Sequence, residues 1–511
     1  MSFAGAELKD SFRNIAGSEV WSLLNKTGSF LAGQDIESYI VGGFVRDVLL
    51  GRDTADIDIA VGQDALEVAS GLAAALGGKY IPLDRVNRVG RVVMVDMGAA
   101  PPAIQHELDF STFSGNIEQD LARRDFTINA MAVNLHQLGK DVSDIQLIDP
   151  FGGWDDLRNG IIRVVAETAF TSDAARLLRA VRLAAELGFT IDEKTGALIR
   201  QNSQLLADVA GERVREELLR LLAVPGTGRF LIYLDELGLL TTLFPELGEA
   251  KGFEQPKEHF WNVLEHSLRT VVAVDFLLRQ GSWEYADGEV LAAVPWSAVL
   301  SQHFDQVVSS GSTRGSLLKL AALLHDVSKP QTRTVDADGR TRFLGHAKEG
   351  AAIAANMLER LRFSSKEIKL VEKEVNYHMR PVQMSQEGLP TRRAIYRYFR
   401  DTGEAGIDIL FLSLADHLAT RGPDLDLSIW QEHAQLVDYV IGQHFEQENI
   451  VLPPKLVDGY DIMNIFGVNE GPEIGEVLEA VREAQASGEV RTRDEALAFI
   501  EKLLSPPRSL K

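Results

Sequence analysis

The stretch "GGFVRDVLLGRDTADIDIAVG" (residues 42–62) decides how this chain reads. The apolar "SYIV" before it reads as a strand, and Gly42-Gly43 break that strand. "FVRDVLLG" then has helical spacing, with Gly51 as its stop. "DIDIAV" alternates with period two, so Asp56 and Asp58 share one face of a strand while Ile57 and Ile59 share the other. Two carboxylates side by side repel unless a cation lies between them. A hard divalent ion held by oxygen is the usual one.

Outward from this stretch, composition sets the frame. At 511 residues and 45% hydrophobic content the chain holds several domains with real cores. It has no cysteine, which excludes disulfides, zinc-thiolate sites, thiol nucleophiles and cysteine-held iron–sulfur clusters. The N-terminal "MSFAGAELKDSFRNIAG" lacks a basic-then-apolar signal pattern and no apolar run is long enough for a membrane helix, so a cytoplasmic location without membrane partners is expected. A formal charge of −22 argues against broad nucleic-acid affinity, so any RNA partner must be met by a local basic surface.

Strand-like pieces ("RVVMVDMG", "IQHELDFSTF", "AMAVNL", "IQLIDP", "IIRVV") alternate with helices up to residue 165. Residues 166–250 turn helical, through "DAARLLRAVRLAAELGF", "KTGALIRQNSQLLADV" and "ERVREELLRLLA". Residues 251–425 form a histidine-bearing helical region, interrupted by "TRTVDADGRTRFLGH", where "DADG" reads as a hairpin turn. Residues 426–511 read as a last helical module. "GLAAALGGKY" is not a phosphate loop, because its glycine spacing is wrong and Tyr80 stands where Ser or Thr is needed. "DADGRT" lacks the further oxygen ligands of a calcium loop.

Alone, Asp-x-Asp also fits a solvated strand end. Its company points to a site. Gly42-Gly43 allow close backbone approach, the next helix offers free N–H groups to an anion, and Arg46 is placed to grip phosphate. A metal-binding carboxylate pair beside a phosphate cradle suits in-line nucleotidyl transfer. Such sites often use a third carboxylate. "ELDF" offers Glu107 and Asp109 on a later strand, and Asp109 is the choice.

GGxVRD followed by a DxD strand resembles the head domain of the class II tRNA nucleotidyltransferase and bacterial poly(A) polymerase family. Further blocks agree in the family's order: "RRDFTINAMA" (123–132), "DPFGGWDDLRNGIIRVV" (149–165), "DAARLLRAVRLAAELGF" (173–189) and "ERVREELLRLL" (212–222). The resemblance implies an α/β head of polymerase-β nucleotidyltransferase type (1–165), followed by an all-α neck and body (166–250), an HD domain (251–425) and a helical tail (426–511). It implies magnesium on Asp56 and Asp58, and contacts from Gly43, Arg46 and Arg124 to the incoming nucleotide. It assigns base reading to Asp173 and Arg176, with Arg179 and Arg182 nearby. Three-residue spacing puts Asp173, Arg176 and Arg179 on adjoining turns of one helical face. The partners implied are a tRNA 3′ end, ATP and CTP.

Base reading by an Asp/Arg pair makes chemical sense. Cytosine and adenine each present an amino donor beside a ring-nitrogen acceptor, which a carboxylate and a guanidinium match. Guanine and uracil place a carbonyl where the amino group would be. The other meaning of Asp-x-x-Arg is a surface salt-bridge ladder. Two departures bear on specificity. Many CCA-adding members have Glu-Asp where this chain has Ser172-Asp173, and "FSTFSGNIEQDL" (110–121) is short and lacks an arginine often found after the strand. Addition of CCA, of CC, of A or of a longer A tail all remain open at this point.

A second constellation lies in the helical middle: His266, His325-Asp326 and Asp416, with His346 and His378 between them. His…His-Asp…Asp on successive helices resembles the HD phosphohydrolase domain. The resemblance implies a divalent metal on His266, His325, Asp326 and Asp416, with His346 and His378 completing a second position. A structural relic and a main phosphohydrolase activity with the head as nucleotide sensor are the alternatives. The tail "VDGYDIMNIFGVNEGPEIGEVLEAVREAQASGEVRTRDEAL" resembles the family's RNA-supporting C-terminal region, although its glycines also read as ordinary helix punctuation.

Overall fold

The computed structural model describes residues 18–52, 56–96, 103–138, 145–286, 288–384, 388–446 and 454–505. The N-terminal stretch read for a signal pattern lies outside the described residues. Residues 1–209 and 210–511 form two compact units.

The first unit begins with α1 (Glu19–Ala32), capped by the Ser18 side chain and burying Leu23, Leu24 and Leu31. β1 (Ser38–Val41) leads into α2 (Gly43–Leu49), then β2 (Asp56–Val61) and α3 (Ala65–Leu76). β3 (Lys79–Asp84), β4 (Val89–Asp96) and β5 (Ala103–Thr112) follow. After α4 (Ile117–Leu121), β6 (Ala132–Asn134) and β7 (Leu147–Ile148) complete a seven-stranded sheet in the order β3-β4-β5-β2-β1-β6-β7. β2 and β5 pair in parallel, and the other neighbours are antiparallel. β3 was not foreseen, because Pro82 and exposed polar residues hide its alternation.

The period-two reading of β2 holds in space. Ile57 and Ile59 are fully buried, whereas Asp56 and Asp58 lie on the opposite face. That opposite face changes character along its length. Beyond the carboxylates it is apolar, with Ala60, Tyr39 and Val41 packed against Phe113, Ile117, Leu121, Ala130 and Ala132. The sheet thus carries its site at one end of a face whose other end is core. The expected strand "IIRVV" reduces to β8 (Ile161–Ile162), which pairs in parallel with β9 (Thr190–Ile191) rather than joining the large sheet. Between them runs α5 (Ala175–Leu187), ended by Gly188 at φ 71°.

In the second unit, α6 (Val263–Leu277), α7 (Arg314–Leu324) and α11 (Gly406–Arg421) pack together. Every residue of α7 is buried, as befits a helix enclosed on all sides. The foreseen hairpin is present as β10 (Arg333–Val335) and β11 (Thr341–Phe343). α8 (His346–Arg360) and α9 (Ser365–Tyr377) form an antiparallel pair ahead of α10 (Arg392–Thr402). Of residues 426–511, the helix Leu427–Glu446 packs on α11, and α12 (Gly459–Phe466), α13 (Pro472–Ala486) and α14 (Arg493–Leu504) follow it, these last three forming the tail. Among the described residues no helix is long and apolar enough to cross a membrane.

Candidate active site and metal centre

The strand register assembles the first site. Asp56 lies opposite Glu107 and Asp58 opposite Asp109 across the parallel β2–β5 pair, so four carboxylates share one patch of sheet. Arg91 on β4 faces Asp109 and grips it through Nε at 2.7 Å and Nη2 at 2.8 Å; its Nη1 pairs with Glu107. The third carboxylate is therefore held by an arginine that sequence reading missed. A side chain on a neighbouring strand becomes a partner only once the pairing is known.

The glycine turn comes next. Gly42 has φ 73° and ψ −139°, and a Cβ built there would lie 2.8 Å from Arg124 Nη1 and 2.9 Å from Asp58 Oδ2. The Arg124 guanidinium and the Asp58 carboxylate thus converge over a position that only glycine leaves open. Arg46 is fixed by Asp47 (3.0 and 2.9 Å) and by Asn129 (2.8 Å). Asn129 in turn donates to Asp125, which pairs with Arg179 at 3.3 Å. Arg124 pairs with Asp120 at 3.3 Å. Asp125 and Asn129 stood in the quoted "RRDFTINAMA" but received no role from sequence.

Burial pushes the Asp58 carboxyl up to about 6; Arg124 and Arg46 oppose the shift, whereas Asp109 and Asp56 reinforce it. A buried carboxyl crowded by like charges favours an added cation, so the donor set fits a hard divalent ion.

The expected placement of Asp173, Arg176 and Arg179 on one helical face needs correction. Asp173 is not on a helical turn. It adopts φ −153° and ψ 103° between the single turn Ala169–Ser172 and the start of α5. No glycine or proline marks that break, so the spacing read as one helix. Arg176 Nε lies 3.9 Å from Asp173 Oδ2, and its Nη2 donates to the Arg123 carbonyl at 2.9 Å. Arg182 is 5% exposed and pairs with Glu186 one turn on.

The second site gathers residues far apart in sequence. His266 comes from α6, His325 and Asp326 from the end of α7, His346 from the start of α8, His378 from the end of α9 and Asp416 from α11. His266 Nε2 lies 3.3 Å from His325 Nε2 and 3.1 Å from Asp416 Oδ1. His346 Nε2 lies 3.2 Å from His378 Nε2. Asp326 stands between the pairs, with Oδ2 3.3 Å from His325 and Oδ1 3.5 Å from His346. Nδ1 of His325, His346 and His378 lies 2.7–2.8 Å from the carbonyls of Ala322, Phe343 and Val375. A ring that donates outward through Nδ1 has its Nε2 left to face a cation on the inner side.

Histidine nitrogens facing one another beside carboxylates suit a divalent ion. The residues group as His266, His325 and Asp416, and as Asp326, His346 and His378. Burial, with neighbouring His325, pushes the His378 imidazole down to about 3, so it stays neutral and able to coordinate. Burial works against ionised Asp326, yet His325 and Lys329 hold it well below the usual carboxylate range. Lys329 Nζ reaches Asp326 at 2.6 Å and Gln255 at 2.7 Å, with His259 at 3.5 Å. Lys329 stands three residues after Asp326 and received no role from sequence, and Gln255 and His259 carry no spacing signal.

With this geometry in hand, comparison with known proteins is direct. Residues 38–163 match the poly A polymerase head domain, 188–251 the probable RNA- and SrmB-binding site of polymerase A, and 288–421 the HD domain. The HD match begins after His266, which the fold nonetheless brings to the centre. The A-adding tRNA nucleotidyltransferase of Deinococcus radiodurans is 34% identical over 91% of this chain and 94% of its own. The CC-adding tRNA nucleotidyltransferase of Thermus thermophilus is 34% identical over 91% of this chain and 93% of its own. A Thermotoga maritima CCA-adding enzyme solved with tRNA shares the fold, with a TM-score of 0.63 over 98% of both chains at 23% identity. Likeness to the first two along almost their whole length, and the head and HD matches within it, mean that this chain belongs to the tRNA nucleotidyltransferase and poly(A) polymerase family.

Proposed function

We propose that this chain is a template-independent RNA nucleotidyltransferase that adds CMP or AMP, from CTP or ATP, to the 3′ end of tRNA. The observation that carries the reading is the convergence of Asp58 and Arg124 over Gly42, with Asp56, Asp109 and Arg46 alongside. Magnesium held by Asp56 and Asp58 would lower the pKa of the attacking 3′-hydroxyl and offset the charge of the triphosphate. Arg124 and Arg46 bind triphosphate oxygens, and Gly42-Gly43 leave the room to do so. Arg91 fixes the orientation of Asp109. Asp173 accepts from the amino group of cytosine or adenine, and the neighbouring Arg176 donates to the ring nitrogen beside it.

The finer reading is divided labour: this chain adds C residues only, or A only. The A-adding and CC-adding relatives match it almost end to end, Ser172 replaces a common Glu, and the segment after β5 is short. The test offers each NTP singly, with magnesium, to tRNAs ending before CCA, after C and after CC. Addition of C alone to the shorter tRNAs, or of A alone to the CC-ended one, is the expected result. Ordered addition of C, C and A by this one chain overturns divided labour, and no incorporation from any NTP overturns the whole reading.

The facing histidine pairs favour a second activity, divalent-ion-dependent phosphoester hydrolysis in residues 251–425. Ions held by His266, His325 and Asp416, and by Asp326, His346 and His378, would supply an acidified water. Asp326 couples the two ligand sets, and Lys329 steadies Asp326 between them.

A further inference from the structure

We propose that the arginine face of α10 is a docking surface for the phosphates of tRNA, and that acidic residues of the tail cover it reversibly in the RNA-free protein. The identity of the RNA rests on the proposed function; the cover rests on the following geometry.

The chain holds 52 Lys and Arg against 74 Asp and Glu, yet α10 reads "RRAIYRYFRDT". Arg393, Arg397 and Arg400 fall at i, i+4 and i+7, on one side of the helix, while Ile395, Tyr398 and Phe399 are buried on the other. This is the kind of local basic surface that an acidic protein needs to hold RNA. In the structure that face is occupied. Arg397 grips Glu483 with Nε at 2.7 Å and Nη2 at 2.6 Å, and Arg400 reaches Glu479 at 2.8 Å and Glu483 at 3.4 Å. Arg393 meets Glu489 at 3.3 Å, and Tyr396 donates to Glu479 at 3.1 Å. Arg392 has no ion-pair partner among the described residues and adds a cation at the same end of the helix.

Arg400 also holds Asp401 of α10 itself, through Nε at 2.8 Å. The other acidic partners, Glu479, Glu483 and Glu489, belong to the tail, which has a hydrophobic cluster of its own. Val457, Ile462, Val477, Val481, Ala484, Val490, Ala496 and Ile500 pack on one another, and the partly buried apolar residues packed against them among the described residues run from Leu456 to Leu504. The tail packs its helix α13 against α10, with buried Tyr396 in the contact, and the polar groups it brings to the arginines are carboxylates. Arg393, Arg397 and Arg400 are 43%, 48% and 36% exposed, so water and a competing polyanion can reach them. Exposed pairs of this kind hold weakly and are screened by salt. The two-pronged grip of Arg397 on Glu483 is also the geometry in which a guanidinium takes phosphate. Glu479 and Glu483 thus occupy positions that RNA phosphates take when tRNA binds.

Two double variants of the full chain test this by opposite signs. E479Q/E483Q removes the cover and is expected to tighten tRNA binding several-fold at low salt. R397Q/R400Q removes the surface; it is expected to weaken binding and to lower the log–log salt slope by about 2, at roughly 0.9 per lost phosphate contact. A purely structural contact is loosened equally from either side, so affinity changes of the same sign, or none, overturn the proposal. Thermal melting of each variant verifies that it is folded. Nucleotide addition at saturating tRNA separates the two levels: a wild-type chain that extends no tRNA refutes the functional reading, whereas extension without the opposite signs refutes the cover alone.

Discussion

Gly42→Ala is the sharpest perturbation of the head site. Gly42 adopts φ 73° and ψ −139°, a region essentially reserved for glycine, so an alanine there costs about 1–3 kcal/mol of stability. The crowding adds to the strain. Its Cβ would stand 2.8 Å from Arg124 Nη1 and 2.9 Å from Asp58 Oδ2, and both must retreat by roughly 0.5–1 Å to reach ordinary contact. Displacement of reacting groups on that scale costs on the order of 100-fold in rate. The expected outcome is a folded protein with a Tm lowered by several degrees and nucleotide addition reduced about 100-fold in kcat/KM. Gly51→Ala is the control, because Gly51 also has positive φ, at 66°, but a Cβ there meets nothing within 4 Å. It should lose stability and keep activity. Wild-type rates in Gly42→Ala, or an equal loss of activity in Gly51→Ala, would refute the reasoning.

Further outcomes follow from the same geometry. Arg91→Gln leaves Glu107 and Asp109 uncompensated beside Asp56 and Asp58; at a loss of about 2 kcal/mol the Tm in chelator falls by roughly 4–8 °C, and magnesium restores part of it. The Asp58 carboxyl sits at about 6, above its unfolded value near 4, so ionising it opposes folding of the metal-free head. Its contribution to stability is full below pH ~4 and is lost as pH rises through about 6. Divalent-ion affinity measured calorimetrically without nucleotide should accordingly climb with pH up to about 6 and then level off. His325→Ala should abolish divalent-ion-dependent phosphoester hydrolysis while leaving nucleotide addition intact, and Asp56→Ala should do the reverse.

What could be read from sequence was what local periodicity encodes. The alternation of "DIDIAV" placed Asp56 and Asp58 on one face, and the fold keeps them there. "DADG" placed a hairpin turn correctly between β10 and β11. The histidines and aspartates of the second site were marked by the resemblance of the whole set to the HD domain, since each alone reads as an ordinary packed residue, and the fold brings them together. The arginine that holds Asp109 was not legible, since β4 follows no spacing rule relative to β5 until the strands are paired. Asp173 looked helical because nothing in its neighbourhood signals the extended residue that separates two helices. The spacing of Arg182 matches Arg176 and Arg179, but its burial on α5 could not be read from that spacing. Gln255 and His259 reach Lys329 from the segment before α6, a meeting that only tertiary packing arranges.

Asp58→Asn tests the central claim most directly. The neutral isostere removes a charge that the metal-free site holds against burial and two neighbouring carboxylates, so the fold should tolerate it with an unchanged or higher Tm in chelator. Single-nucleotide incorporation onto tRNA should nonetheless disappear. Loss of incorporation in a protein at least as stable as wild type is the result the account requires. Retained incorporation, with the same dependence on magnesium, would contradict it.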